Sequence, residues 1–269
     1  MGAMIFMEGL MECVWLTPDV FRMRVPFLDI FTSVFLVKTE AGAVLFDTAT
    51  YPTDITELVL PCLAEHGVRG EEITHVMVSH PHRDHSGGLE AFLTLYPDVT
   101  VVAGSNALLK THKGARLSVM RDGDVLLDDL RVVAIPGHTT DAIALWDTRS
   151  DILLSGDGLQ LYGIYGSGTW GANIPFPAAH FSALARLAKL PLTAIYAAHD
   201  YHPLGDAYLG TEGIGRAIEA CREPLLLARD MILESPEADD STLAVAYNKK
   251  GLPTIGSHVF TAVRRDLMS

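Results

Sequence analysis

Short apolar runs alternate with longer amphipathic stretches along most of the chain. Runs at residues 12–16, 20–25, 33–38, 43–46, 74–79, 99–103, 131–135, 143–147, 152–155 and 194–197 have the length and β-branched content of strands. Between several of them the apolar spacing changes to that of a helix. Thr53 to His66 places Ile55, Leu58, Val59, Cys62 and Leu63 on one face and stops at Gly67. Ser86 stands as an N-cap for a helix through Leu95, and Pro177 opens one over Ala178 to Leu190 as a first-turn proline. Gly104 to Lys113 predicts a short helix, and Gly213 to Glu234 a helical pair broken at Pro224. Strand runs alternating with helices in both halves predict an α/β (α+β) chain, a four-layer αββα sandwich of two mixed β-sheets with helices outside. One domain is expected over residues 1–269, with a mainly helical C-terminal segment from about residue 211.

Composition narrows the function. A chain of 269 residues with 49% hydrophobic content can bury one large core. No apolar run approaches a membrane span. The stretch from Met1 to Leu16 is interrupted by Glu8 and Glu12 and lacks a basic leader, so no signal peptide is expected. Cys13, Cys62 and Cys221 are few and odd in number, which favours a reducing compartment, thiols used as small core residues, and the cytoplasm. The net charge of −13 argues against a nucleic-acid partner, because phosphate binding needs Lys and Arg clusters, and Arg264-Arg265 is too short to be one. A small-molecule substrate is expected. The apolar run Leu225-Leu226-Leu227 with Met231 and Ile232 serves either the core or a homodimer contact.

The run Ser79-His80-Pro81-His82-Arg83-Asp84-His85-Ser86-Gly87-Gly88 places four metal-ligand side chains in six positions, after an apolar strand and before a helix. On a loop leaving a strand end, His80 and His82 can face one side while Asp84 and His85 face the other, so two metal sites can share one loop. Imidazole and carboxylate suit Zn, Fe, Mn or Co, and the missing thiolate argues against a closed structural zinc knot. Four residues cannot saturate two ions. Three further strand ends offer ligands: His138 in Gly137-His138-Thr139, Asp157 in Gly156-Asp157-Gly158, and His199 in Ala198-His199-Asp200. His66, His75, His112, His180 and His258 read as surface or core residues, and His202 as a pocket-lining candidate outside the ligand set.

The order His-x-His-x-Asp-His, Pro-Gly-His-Thr, Gly-Asp and a final His resembles the metallo-β-lactamase-fold superfamily over about residues 30 to 203, with spacings like those of its glyoxalase II and acyl-homoserine-lactone lactonase branches. The resemblance implies the same αββα sandwich. It further implies that His80, His82 and His138 hold one metal, that Asp84, His85 and His199 hold another, and that Asp157 bridges them. Asp47 matches the family's strand-end Asp, read as support for a ligand. The implied cofactor is a pair of divalent ions, zinc foremost, with iron and manganese as alternatives. Lactonases of the family carry Tyr where this chain has Gln160, glyoxalase II enzymes carry a Cys-Gly-Arg run that this chain lacks, and the commonest β-lactamases use a Cys at the second metal.

The leading expectation is a hydrolase that uses hydroxide held by two metals to cleave an ester, thioester or lactone, with Asp84 as the catalytic proton carrier. One alternative is an oxygenase of the persulfide dioxygenase kind with a single iron on His80, His138 and Asp157. The other is a metal-binding protein without turnover. Gln160 to Trp170, with Tyr162, Tyr165, Trp170 and several glycines, reads either as a mobile aromatic lid or as an ordinary packed loop.

Overall fold

The structure, a computed structural model, describes residues 11–110, 112, 114–166, 170–250 and 254–268. Residues 1–10 of the expected leaderless stretch, Thr111 and Lys113 of the expected Gly104–Lys113 helix, and residues 167–169 of the aromatic loop lie outside them. The chain is a mixed α/β protein that divides into two compact units, one formed by Met1–Ala134 with Ile143–Ser150, the other by Ile135–Ala142 with Asp151–Ser269.

The first unit is built on a seven-stranded sheet of β1 (Glu12–Trp15), β2 (Val20–Phe27), β3 (Ile30–Thr39), β4 (Gly42–Phe46), β5 (Ile73–Met77), β6 (Thr100–Ala103) and β7 (Arg116–Val119), in that spatial order. The strands β1 to β4 form an antiparallel meander, and β4 to β7 run parallel. Parallel strands need crossover segments. A π-helical stretch over Asp54–Val59 running into α1 (Leu60–Glu65) makes the first crossover, and α2 (Arg83–Ser86) with α3 (Leu89–Leu95) makes the second. Ile55, Val59, Leu63, Leu89 and Phe92 pack with Phe21, Leu36, Leu45 and Val76 of the sheet in one buried cluster. The unit also contains an antiparallel ribbon of β8 (Val125–Leu126), β9 (Leu130–Ala134) and β10 (Ile143–Asp147).

In the second unit β11 (Ile152–Leu154) lies parallel to β12 (Ala194–Tyr201), which pairs antiparallel with β13 (Gly205–Leu209). Four helices follow the chain: α4 (Pro177–Leu187), α5 (Gly210–Glu234), α6 (Asp240–Asn248) and α7 (Ser257–Leu267). Leu225, Met231 and Ile232 of α5 are buried in one cluster with Tyr247 of α6 and Val259, Phe260 and Val263 of α7. That part of the stripe weighed as a dimer contact is spent on the unit's own core. No helix among the described residues is long and apolar enough to cross a membrane.

Several expectations are corrected. Pro224 does not break α5, which runs unbroken from Gly210 to Glu234. Its two halves bury Ile214, Ala217, Ile218 and Cys221 on one side of the proline and Leu225, Ala228 and Ile232 on the other, enough to offset the roughly 3 kcal/mol an interior proline costs. Ser86 caps no helix. It ends α2, donating its hydroxyl to the carbonyl of His82 at 3.0 Å, and Gly88 holds the cap position of α3. The short strands β7, β8 and β13 were not expected. Cys13 and Cys62, expected as thiols, are paired as a disulfide, whereas Cys221 is a free, buried thiol, which burial pushes up to about 12.

Tyr247 is fully buried with no hydrogen-bond partner for its hydroxyl among the described residues. An unpaired buried hydroxyl costs about 1–3 kcal/mol of desolvation. Tyr247→Phe is therefore expected to raise the free energy of urea unfolding by about 1–3 kcal/mol. A clear loss of stability would show that the hydroxyl has a partner.

Candidate metal centre

In the first unit, the segment that leaves β5 carries His80, His82, Asp84 and His85. Its geometry is set from the neighbouring strand end, where Asp47 follows β4 with a positive φ of 65°. Such a conformation is uncommon for a non-glycine residue and is a mark of functional sites. The Asp47 carboxylate is fully buried and collects three donors: the Ser79 amide at 2.7 Å, the Ser79 hydroxyl at 2.9 Å and Nδ1–H of His85 at 2.7 Å. With its proton spent on Asp47, the Ser79 hydroxyl accepts from Nδ1 of His80 at 3.0 Å. One carboxylate thereby sets the tautomers of two histidines and turns Nε2 of each outward.

Those outward atoms meet further imidazole and carboxylate atoms. Nε2 of His80 lies 3.0 Å from Nδ1 of His82, and Nε2 of His85 lies 3.5 Å from Oδ2 of Asp84. The chain can make this turn because Gly87 has no side chain: a Cβ there would sit 1.9 Å from the carbonyl oxygen of Thr50. The Gly87 amide in turn donates to the carbonyl of Ala49 at 3.0 Å, and the Thr48 amide to that of His85 at 2.8 Å.

The second unit holds Asp157, His199 and His138. Asp157 follows β11, and His199 lies within β12, where the register with β13 shifts. His138 lies in the 135–142 loop. At Gly137 a φ of +155° and a space filled by the His180 ring, 2.6 Å from where a Cβ would lie, admit only glycine. Nδ1–H of His138 donates to the carbonyl of Asn173 at 2.8 Å, which turns its Nε2 toward Oδ2 of Asp157 at 3.5 Å. Nε2 of His199 faces the other oxygen, Oδ1, at 3.2 Å. The Asp157 carboxylate thus presents one oxygen to each histidine.

A buried polar network surrounds Asp157. The phenol of Tyr201 donates to Oδ1 at 3.0 Å, and Nε2 of Gln160 donates to both the Asp157 carbonyl at 3.0 Å and the Tyr201 hydroxyl at 3.3 Å. The Gln160 Oε1 accepts from the Asn173 amide at 3.0 Å. Asn173 Oδ1 meets Nε2 of His258 at 2.9 Å. Sequence reading singled out none of Tyr201, Asn173 and His258 for the site. The signal for Tyr201 was the alternation of β12, which turns residues 199 and 201 to the same face. Asn173 carried none.

The remaining histidines have other partners or none. Nδ1–H of His66 donates to the Cys62 carbonyl at its helix end, 2.8 Å away, and His75 meets the Thr74 hydroxyl at 2.9 Å. His202 stacks on Tyr165 with ring centroids 3.7 Å apart. In the aromatic loop Tyr162 donates to Glu223, and Ile164 bridges to Tyr201. His180 is fully buried and both its ring nitrogens lack hydrogen-bond partners among the described residues.

A model of the metallo-beta-lactamase superfamily matches residues 29–199. The chain belongs to this superfamily. Among curated superfamily relatives, the hydroxyacylglutathione hydrolase of Prochlorococcus marinus is 28% identical over 176 residues, 62% of this chain and 64% of that protein. An atrochrysone carboxyl ACP thioesterase of Aspergillus fumigatus is 28% identical over 138 residues, 50% of this chain and 42% of the other. The chain thus spans less than two thirds of the length of these relatives. A metallo-beta-lactamase family protein of Thermus thermophilus has the same fold, with a TM-score of 0.66 at 18% identity over 93% of this chain and 92% of that one.

Burial, with His138 beside it, pushes His180 down to about 4 from its ordinary 6.5. The folded state prefers the neutral ring, so this contribution is complete above pH 6.5 and is lost as pH falls from 6.5 to about 4, by roughly 3 kcal/mol in all. His180→Leu is expected to gain on the wild type by that amount between pH 7 and pH 4 in urea unfolding. A difference that stays constant with pH would overturn the assignment.

Proposed function

We propose that the protein holds two divalent ions and hydrolyses an acyl compound, with thioesters foremost and esters and lactones as neighbours. In this reading His80, His82 and His138 hold one ion, Asp84, His85 and His199 the other, and Asp157 spans both. The observation that carries it is the Asp157 carboxylate, which offers Oδ2 on the His138 side and Oδ1 on the His199 side.

The donor set supports the fit. His80, His85 and His138 each have Nδ1 engaged by a fixed acceptor, so Nε2 can carry the lone pair a metal needs. Imidazole and carboxylate without thiolate suit zinc, iron or manganese in an open site. Bound there, paired divalent ions would lower the pKa of water from about 15.7 to about 7 and polarise an acyl carbonyl. The chain's own part is orientation and proton handling. Asp47 and Asn173 hold the imidazoles, and Asp84, partly exposed beside the fully buried His85, would take up the proton released when the attacking water ionises and pass it to the leaving thiolate or alkoxide. The relatives named as hydroxyacylglutathione hydrolase and ACP thioesterase support a thioester over an oxygen ester.

Metal analysis of protein purified without added metal tests the reading first. About two equivalents of zinc, or of mixed divalent ions, per chain are expected, with turnover of a thioester panel. A single equivalent of iron, with oxygen consumed on a persulfide, would replace this reading by the oxygenase. Asp157→Ala is expected to lower both metal content and thioester turnover, the latter by at least about 100-fold. Retention of both would refute the two-ion arrangement.

A further inference from the structure

We infer that Tyr201 and Gln160 are positioning residues that make the two metal positions unequal, an inference that rests on the two-ion reading above. The argument starts from the direction of the hydrogen bonds. Nε2 of Gln160 can only donate, so the Tyr201 oxygen accepts from it at 3.3 Å and must aim its own hydrogen elsewhere. That hydrogen goes to Oδ1 of Asp157, 3.0 Å away. Amide, phenol and carboxylate form a relay with one polarity, in which each bond strengthens the next. The relay is closed to water: Tyr201 is fully buried and Gln160 nearly so.

Its effect is one-sided. The phenol bonds to Oδ1, the oxygen that faces His199, whereas Oδ2 is the oxygen that faces His138. Tyr201 therefore fixes the carboxylate's rotation and its lone pairs for the ion held with His199. Gln160 reaches further. Its Nε2 holds the Asp157 carbonyl, while its Oε1 holds the Asn173 amide, and the carbonyl of that same Asn173 holds Nδ1 of His138. One side-chain amide ties the spanning carboxylate to a ligand of the other ion. Groups that orient a metal ligand in this way are typically worth about 10–100-fold in metal affinity.

The two residues should consequently have different signatures. Tyr201→Phe removes the bond to Oδ1 and leaves Gln160 its bonds to the Asp157 carbonyl and the Asn173 amide. It is expected to weaken one of two bound Zn²⁺ ions by about 10–100-fold, read by equilibrium dialysis against a chelator of known affinity, and to leave the other ion unchanged. Cobalt(II) absorption identifies the ion lost, because a site with three imidazoles beside the shared carboxylate and one with two imidazoles and a second carboxylate have different ligand-field bands. Gln160→Met keeps the side-chain length without the hydrogen bonds and is expected to weaken both ions. Thermal melts of the metal-free variants separate this from misfolding. Equal affinity for both ions in Tyr201→Phe and wild type would overturn the inference, as would equal weakening of both ions in Tyr201→Phe or weakening of one ion alone in Gln160→Met. A wild type that binds only one Zn²⁺ would instead refute the two-ion reading itself.

Discussion

A carboxylate with no solvent exposure can remain in a folded protein only where donors replace the water it has lost. Asp47 is such a group, and the arrangement of the His80–His85 loop follows from it. Its three donors come from two residues of the neighbouring strand-end loop, Ser79 and His85. Satisfying that charge forces the loop against the end of β4 and sets which nitrogen of His80 and His85 faces outward. The positive φ at Asp47 is the local strain this placement demands, sustained by the three hydrogen bonds its carboxylate collects.

The second unit solves the same problem with different residues. Asp157 is also a buried carboxylate, and it is steadied by the Tyr201 phenol and by an amide, Gln160, placed three residues downstream. Both units therefore hold a carboxylate whose geometry is fixed from behind, so the side chains beside it are oriented by the protein alone. This preorganisation is the physical basis for expecting ions rather than a bare polar pocket.

The fold also shows where packing overrides local propensity. Pro224 satisfies every local criterion for ending a helix, yet α5 continues through it because both flanking turns bury apolar side chains. Ser86 has the composition of a helix cap, but its hydroxyl is drawn to the His82 carbonyl by the tight turn of the ligand loop. The strands β7, β8 and β13 are two to five residues long, and Val119, Val125 and Leu209 are exposed, so their apolar pattern is too weak to stand out from loop sequence.

The linear sequence by itself supplied the candidate residue types and most of the strands, because alternation and strand-then-glycine spacing are properties of adjacent residues, but it put His199 past a strand end, whereas His199 lies within β12. It also carried the family resemblance, since the motifs lie on contiguous runs such as His80 to His85. Only the tertiary structure decided which atoms face each other. Asp47 reaches His85 across 38 positions, Tyr201 reaches Asp157 across 44, and Asn173 reaches His138 across 35. Such contacts depend on how strands are ordered and how loops cross their ends, and no periodicity along the chain encodes the distance between them.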